Sequence, residues 1–428
     1  MRPYSITRRL IATVLLIELV SAICFAGVAL VYERHAHFRA FDVLLRGRAD
    51  SMLGAVQDAE DTNDNVMLDG TEIRTPPDDL YEVIDASGRV LGRSANTVRQ
   101  RLREFYKPAN KKKGRNRTEL DPATCCGPLV RWITSGWTDK RVALALDATS
   151  LGDVFTVLSA SIVYRGCAIP VAWAILRANT PGAWNPQWIT LLKRVKAALG
   201  DGWLTVVLTD RGLESPDLFK VIVDLGMHPL MRIKGGAKFR PTGWMKFYWV
   251  TEFVRHDGDR FGMTGTMYAG TQLSCTLLAC RVAGCEDPWL ILTDLPPSAA
   301  DPCWYAMRSW IEQGFKVIKS GGWDWQKTRM TDPDRAARLW VVVAVATLWL
   351  VEVGGLAEFE PRPETIPQFR AASGKRLHRL FRIGLGLILA GLVAGNVLGG
   401  GFIPEEWPKP QPYPDVTEKC FQKPTYPT

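Results

Sequence analysis

Four residues in the last third of the chain, Tyr305, Arg308, Glu312 and Lys319, are separated by three, four and seven positions. On a helix turning about 100° per residue they fall within about 60° of one another and form one polar stripe. Trp304, Met307, Ile311, Phe315 and Ile318 occupy a neighbouring arc, which predicts the buried face. The helix therefore presents a carboxylate flanked by two cations and a phenol. That pattern suits an acid that holds a metal while its neighbours grip phosphates. Two more acids stand at the ends of apolar runs: Asp147 in KRVALALDAT and Asp210 in WLTVVLTDRG. In α/β sheets, ligand chemistry gathers at the carboxyl ends of strands. If the two strands are neighbours, Asp147 and Asp210 sit side by side, and the helix can bring Glu312 to them. Three clustered carboxylates cannot all ionise without cations. Oxygen donors select Mg²⁺ or Mn²⁺. Two such ions about 4 Å apart activate an attacking hydroxyl and stabilise a leaving 3′ oxygen.

Other parts of the chain must hold these groups. Asp301 and Pro302 predict the helix start and Ser320-Gly321-Gly322 its end. DVFTVLSASIVYRG and CAIPVAWAILRA read as two strands of a meander turning at Arg165-Gly166. NPQWITLLKRVKAALG reads as a helix closed by Gly200, and SPDLFKVIVDLG as a helix capped by Ser215 with Pro216 at its first position. MHPLMRIK reads as a further strand, and Leu129 to Trp137 as one more packed helix. RAARLWVVVAVATLWLVEV predicts a buried helix whose apolar core is short for a membrane span. The run 383–403 reads as a core helix with a Gly-rich exit, a second membrane span being the alternative, and PEEWPKPQPYP as an extended tail.

The 428 residues suffice for two or three domains. Lys plus Arg is 53 against 44 acids, a net +9 that favours a polyanionic partner. The 9 Cys are scattered without CxxC or zinc spacing and read as thiols of a reducing compartment. GxSxG, HExxH and GxxxxGK are all absent, which removes hydrolase-elbow, zincin and nucleotide-loop chemistry. The 5 His are dispersed, as ordinary core or surface residues are.

The N-terminal region reads differently. Residues 11–32, IATVLLIELVSAICFAGVALVY, carry a single charge at Glu18, and their length predicts one transmembrane helix, with a signal peptide or a buried core helix as the rival readings. Arg2, Arg8 and Arg9 place its N-terminus in the cytoplasm. LYEVIDASGRVLG alternates about Ser87-Gly88 and predicts a β-hairpin within a polar segment, 33–96. From Arg99 to Arg117 nine cations meet one acid. That run is a phosphate-contacting arm or a solvated linker, and charge alone favours the linker.

Taken together, residues 97–428 resemble the DDE transposases of bacterial insertion sequences, specifically the insertion-sequence-four family. The family hallmark is Tyr-x2-Arg-x3-Glu-x6-Lys, matched here by Tyr305, Arg308, Glu312 and Lys319, with Asp147 in LDAT and Asp210 in TDRG as the two earlier acids. The resemblance implies an α/β, RNase H-like mixed sheet flanked by helices, with catalytic parts at 140–234 and 298–353. A β-rich insertion at 235–297 would lie between them, and a C-terminal helical region at 354–428 would serve homodimer contacts. It implies Mg²⁺-dependent (or Mn²⁺-dependent) cleavage at transposon-end DNA, then attack of a 3′-OH on target DNA. Asp147, Asp210 and Glu312 would be the catalytic metal ligands, and Tyr305, Arg308 and Lys319 the DNA contacts. Trp244, Trp289, Trp323 and Trp325 are the candidates for stacking on a flipped terminal base.

Residues 1–96 resemble instead the membrane-anchored front of a bacterial sensor histidine kinase. Only a short remnant, 97–139, precedes the first Asp, where the family has a helical end-binding domain. The expectation is a chimeric reading frame with an intact catalytic fold and impaired transposition. The parent enzyme would work at the nucleoid, and this chain would be a single-pass inner-membrane protein. Two rivals stand beside it: another RNase H-like metal nuclease, and a membrane sensor-kinase fragment carrying inert transposase sequence.

Overall fold

The computed structural model describes residues 82–84, 90–93, 102, 104–112, 117–180, 184–359, 378–393 and 399–421. The chain divides into two compact units, Met1–Glu104 and Phe105–Thr428. In the first, β1 (Glu82–Ile84) and β2 (Val90–Arg93) pair antiparallel, with Val83 opposite Gly92. This is the hairpin expected about Ser87-Gly88. The expected transmembrane helix at 11–32 lies outside the described residues.

The second unit is built on one ten-stranded mixed sheet. Its strands are β3 (Arg141–Leu151), β4 (Phe155–Tyr164), β5 (Cys167–Arg177), β6 (Leu204–Thr209), β7 (His228–Arg232), β8 (Lys238–Pro241), β9 (Tyr248–Trp249), β10 (Arg260–Met267), β11 (Leu273–Cys280) and β12 (Trp289–Thr293). Their order across the sheet is β5-β4-β3-β6-β7-β12-β11-β10-β8-β9. β3, β6 and β7 run parallel, and every other pairing is antiparallel. Strands buried on both faces read as continuous apolar runs rather than alternating ones. Val142 to Leu146 in β3 and Leu158 to Tyr164 in β4 are buried without a break, so both faces are covered there. The two polar intruders, Ser159 and Ser161, satisfy each other at 3.0 Å. Arg165 and Gly166, both with positive φ, make the two-residue turn between β4 and β5.

Helix α1 (Cys126–Thr134) begins and ends three residues earlier than the expected Leu129 to Trp137, while α2 (Asn185–Leu199) and α3 (Pro216–Asp224) carry the expected Gly200 and Ser215-Pro216 signals. Gly200 closes α2 with φ +74°, and the Ser215 hydroxyl accepts from the Leu218 N–H at 3.3 Å at the start of α3. The long α5 (Pro333–Leu356) is long and apolar enough to cross a membrane, but two-thirds of its apolar window is buried in the fold. It packs on β5 and on α6 (Leu380–Val393). Part of the basic run is folded too. Arg338 of α5 donates to the Tyr106 carbonyl at 2.9 Å and pairs with Glu119.

One expectation here needs correction. The polar-stripe segment is not one α-helix. A 3₁₀ stretch (Pro302–Ser309) passes into α4 (Trp310–Lys316) and then a π turn (Val317–Gly321). The apolar arc is nevertheless buried as expected: Trp304, Met307, Ile311, Phe315 and Ile318 all face the core. Pitch changes locally while the apolar face stays fixed on the sheet. The Pro-rich tail is extended, as expected, and it is bound along its length. Trp304 Nε1 donates to the Pro408 carbonyl at 2.7 Å, and Glu418 accepts from the Met245 and Lys246 backbone N–H groups and the Tyr248 hydroxyl. The tail therefore straps β8–β12 to the segment that begins at Asp301.

Candidate active site

β3 and β6 pair in parallel up to Ala145 and Leu208. Two residues further on each chain stand Asp147 and Asp210, at the same level. β6 stops there, and Asp210 becomes the cap of a short 3₁₀ turn, accepting from the Gly212 N–H at 3.0 Å. β3 does not stop: it runs four residues past Asp147 to Leu151. Asp147 is thus an interior strand residue rather than the terminal one expected. β4 still holds that stretch, pairing Asp147 with Ser159, after β6 has ended. The departure of β6 opens the space into which the carboxylate projects.

The third acid arrives on α4, which crosses close to β5. A Cβ at Gly314 would come within 3.1 Å of the Ala168 carbonyl oxygen, so the absence of a side chain permits the approach. Glu312, two residues earlier, is thereby presented toward the two aspartates.

One guanidinium joins the three acids. Arg308 Nη2 lies 2.8 Å from Asp147 Oδ2 and 3.4 Å from Asp210 Oδ2, while Nη1 lies 2.5 Å from Glu312 Oε1. Arg308 is buried, and its Nε has no hydrogen-bond partner among the described residues. Exposure is graded across the cluster: side-chain exposure is 17% for Asp147, 40% for Asp210 and 60% for Glu312. Burial pushes the Asp147 carboxyl up to about 6, the Arg308 charge opposes that rise, and the Asp210 and Glu312 charges add to it. Lys319, in the π turn, has its ammonium pKa lowered by burial, offset in part by Asp147. Tyr305 is pushed up to about 12, chiefly by burial, so its hydroxyl keeps its proton at any physiological pH.

The structure brings Asp147, Asp210, Glu312 and Arg308 together, with Lys319 and Tyr305 at the margin. Arg308 is committed to the carboxylates rather than turned outward for a phosphate. No group of three or more acid, His or Cys side chains among the described residues is arranged to hold a metal ion, and the Arg308 guanidinium lies among the three carboxylates. The ligand chemistry still fits a hard divalent cation: three carboxylates, whose oxygens can each donate an electron pair to such an ion. Of the four tryptophans, Trp289 stands edge-on to Tyr305 at 6.0 Å. Trp325 is buried against Phe155, Trp244 lies in a cluster with Tyr248, Phe253 and Phe421, and Trp323 donates to the Thr347 hydroxyl.

Sequence reasoning overlooked Arg232, the last residue of β7, whose guanidinium carbon lies 5.7 Å from the Tyr305 ring centre. The signal was available. β7 is the next parallel strand, and its terminal residue is charged, as the acid following β6 is.

Residues 178–349 match the family model of the transposase DDE domain. That span includes Asp210, Tyr305, Arg308, Glu312 and Lys319, and begins after Asp147. The match supports a transposase domain over that stretch. Among solved structures, the piggyBac transposase in a synaptic complex with hairpin DNA is similar at 9% identity and a TM-score of 0.32, over 58% of this chain and 52% of that one. This chain thus spans about half the length of that transposase. Human ENDOV is similar at 10% identity and a TM-score of 0.21, over 51% of this chain and 95% of that one. No curated protein matches.

Proposed function

We propose that the chain is a DDE transposase of the bacterial insertion-sequence type, acting on transposon-end DNA and then on target DNA. The observation that carries this reading is the meeting of Asp147, Asp210 and Glu312 on one guanidinium, from three segments far apart in sequence. The strand order β5-β4-β3-β6-β7, with β3, β6 and β7 parallel, supports an RNase H-like core extended by the five insertion strands.

In this reading Asp147, Asp210 and Glu312 hold Mg²⁺ or Mn²⁺. When bound, the ions activate the attacking hydroxyl and stabilise the leaving 3′ oxygen. The chain's own groups position the DNA. Lys319, at the edge of the cluster, offers a point charge to a backbone phosphate. Tyr305, kept protonated, donates its hydroxyl rather than acting as a base. Arg308 holds the acids in register and keeps Asp147 from standing alone as a buried anion. Arg232 supports the Tyr305 ring from behind.

The test is cleavage and strand transfer on a labelled transposon end with Mg²⁺ or Mn²⁺. Asp210→Asn and Glu312→Gln are expected to lose both steps. Cleavage without joining would favour another RNase H-like nuclease, and variants that change nothing would favour inert cargo. The two compact units, dividing close to the composition change near Asn96, support a chimeric frame in which sensor-kinase sequence runs into a transposase with impaired activity. Inverted repeats in the genomic flanks, with kinase fragments on both sides, test that origin.

A further inference from the structure

A second cluster, apart from the carboxylates, involves two thiols. Cys280 ends β11 and is buried. Directly across the ladder is Arg260 of β10. Arg260 Nη2 reaches Asp301 Oδ2 at 2.7 Å, and its Nη1 lies 3.9 Å from the sulfur of Cys303. Cys303 is exposed on the first turn of the 3₁₀ stretch, which packs against β11, and its thiol neighbours that of Cys280. An accessible thiol and a buried one thus flank a single guanidinium.

We propose that Cys280 and Cys303 form a thiol–disulfide exchange site for low-molecular-weight disulfides, with Cys303 as the attacking sulfur and Cys280 as the resolving one. The Cys303 thiolate attacks one sulfur of the small disulfide, forming a mixed disulfide and expelling one thiolate. The Cys280 sulfur then gives its proton to solvent and attacks the Cys303 sulfur, expelling the second thiolate. The dithiol loses two electrons and the small disulfide gains them, leaving an intrachain disulfide and two small thiols.

The surroundings suit the assigned roles. The Cys280 hydrogen bond and Arg260 hold the Cys303 thiol down, to about 7, against burial and the Asp301 charge. Cys280 is held up by its hydrogen bond to Cys303 and by burial, with Arg260 opposing. Tyr413, from the C-terminal strap, faces the same cluster. The disulfide would tie the end of β11 to the turn just before Tyr305 and Arg308. This inference does not depend on the transposase reading.

The test uses the reduced full-length chain with oxidised glutathione, then alkylation, digestion without reductant and mass spectrometry. The expected result is a Cys280–Cys303 linked peptide. In Cys280→Ser, glutathione is expected to remain on Cys303; in Cys303→Ser the linked peptide is expected to vanish. Before oxidation, alkylation of Cys303 is expected to level off above about pH 7. At pH 7 it should exceed the exposed Cys285 by about threefold, as expected of an activated attacking thiol. Absence of the linked peptide in the unsubstituted chain would overturn the proposal, as would a Cys303 rate no greater than that of Cys285. Both of those measurements need no substitution, so a misfolded variant cannot obscure them.

Discussion

Asp301 and Asp147 are both largely buried aspartates paired with an arginine, and their carboxyls are shifted in opposite directions. The Asp301 side chain is only 2% exposed, against 17% for Asp147. Burial pushes Asp301 upward, yet its carboxyl lies below the usual range. It accepts from two backbone N–H groups, Cys303 at 2.8 Å and Gln411 at 3.0 Å, and has Arg260 at 2.7 Å. Asp147 accepts one backbone N–H, from its own neighbour Ala148, and shares its arginine with two other acids. Burial raises both carboxyls, and the donors committed to the Asp301 oxygens outweigh it there, whereas the shared arginine does not outweigh it at Asp147. Asp301 is a finished ion pair inside a structural joint. Asp147 is an unfinished one, with room for more positive charge, as expected of a ligand.

The comparison predicts substitutions of different sign. Asp301→Ala should have the largest effect. It leaves Arg260 without its carboxylate and uncaps the segment bearing Arg308 and Glu312, costing about 3–5 kcal/mol in denaturant unfolding. A variant within about 1 kcal/mol of the parent would show that the joint is dispensable.

Asp147→Asn should act in the other direction. The folded carboxyl titrates near 6 and the unfolded one near 3.8, so the folded chain retains the proton between those values. Its contribution is full below the unfolded value and is lost as pH rises through about 6. At pH 7 the charged group costs up to about 3 kcal/mol. The asparagine variant should therefore be more stable at neutral pH, lack that pH dependence between 4 and 6, and have no cleavage activity. Unchanged stability across that range would remove the claim that Asp147 is an under-compensated anion.

Smaller effects separate the margins. Gly314→Ala should push α4 from β5 by a few tenths of an ångström and lower the melting temperature by a few degrees, since about 1 kcal/mol of strain is expected. Tyr305→Phe should leave stability within about 1 kcal/mol while weakening end-DNA binding a few-fold, as measured by fluorescence anisotropy. Equal DNA affinity would confine Tyr305 to packing.

Much of this contrast was legible in the residues. The apolar runs ending near Asp147 and Asp210 are strong strand signals, and Ser215-Pro216, Gly200 and Arg165-Gly166 mark caps and turns by local chemistry. The spacing of Tyr305, Arg308, Glu312 and Lys319 also identified the buried arc. Three things were hidden. A uniform 100° step cannot foresee a helix passing through three pitches, because the sheet beneath sets the local winding. The continuation of β3 past Asp147 depends on β4 outlasting β6, a pairing no single strand encodes. The joint at Asp301 draws on Arg260 and Gln411, which lie 41 and 110 positions away along the chain.

The central claim is that Asp147, Asp210 and Glu312 act as one unit for divalent cations. Titration of Mn²⁺ into the full chain, followed by electron paramagnetic resonance of the free ion, tests it most directly. The account predicts that Asp147→Asn, Asp210→Asn and Glu312→Gln each weaken binding by about tenfold or more. Unaltered Mn²⁺ affinity in any one of the three would contradict it.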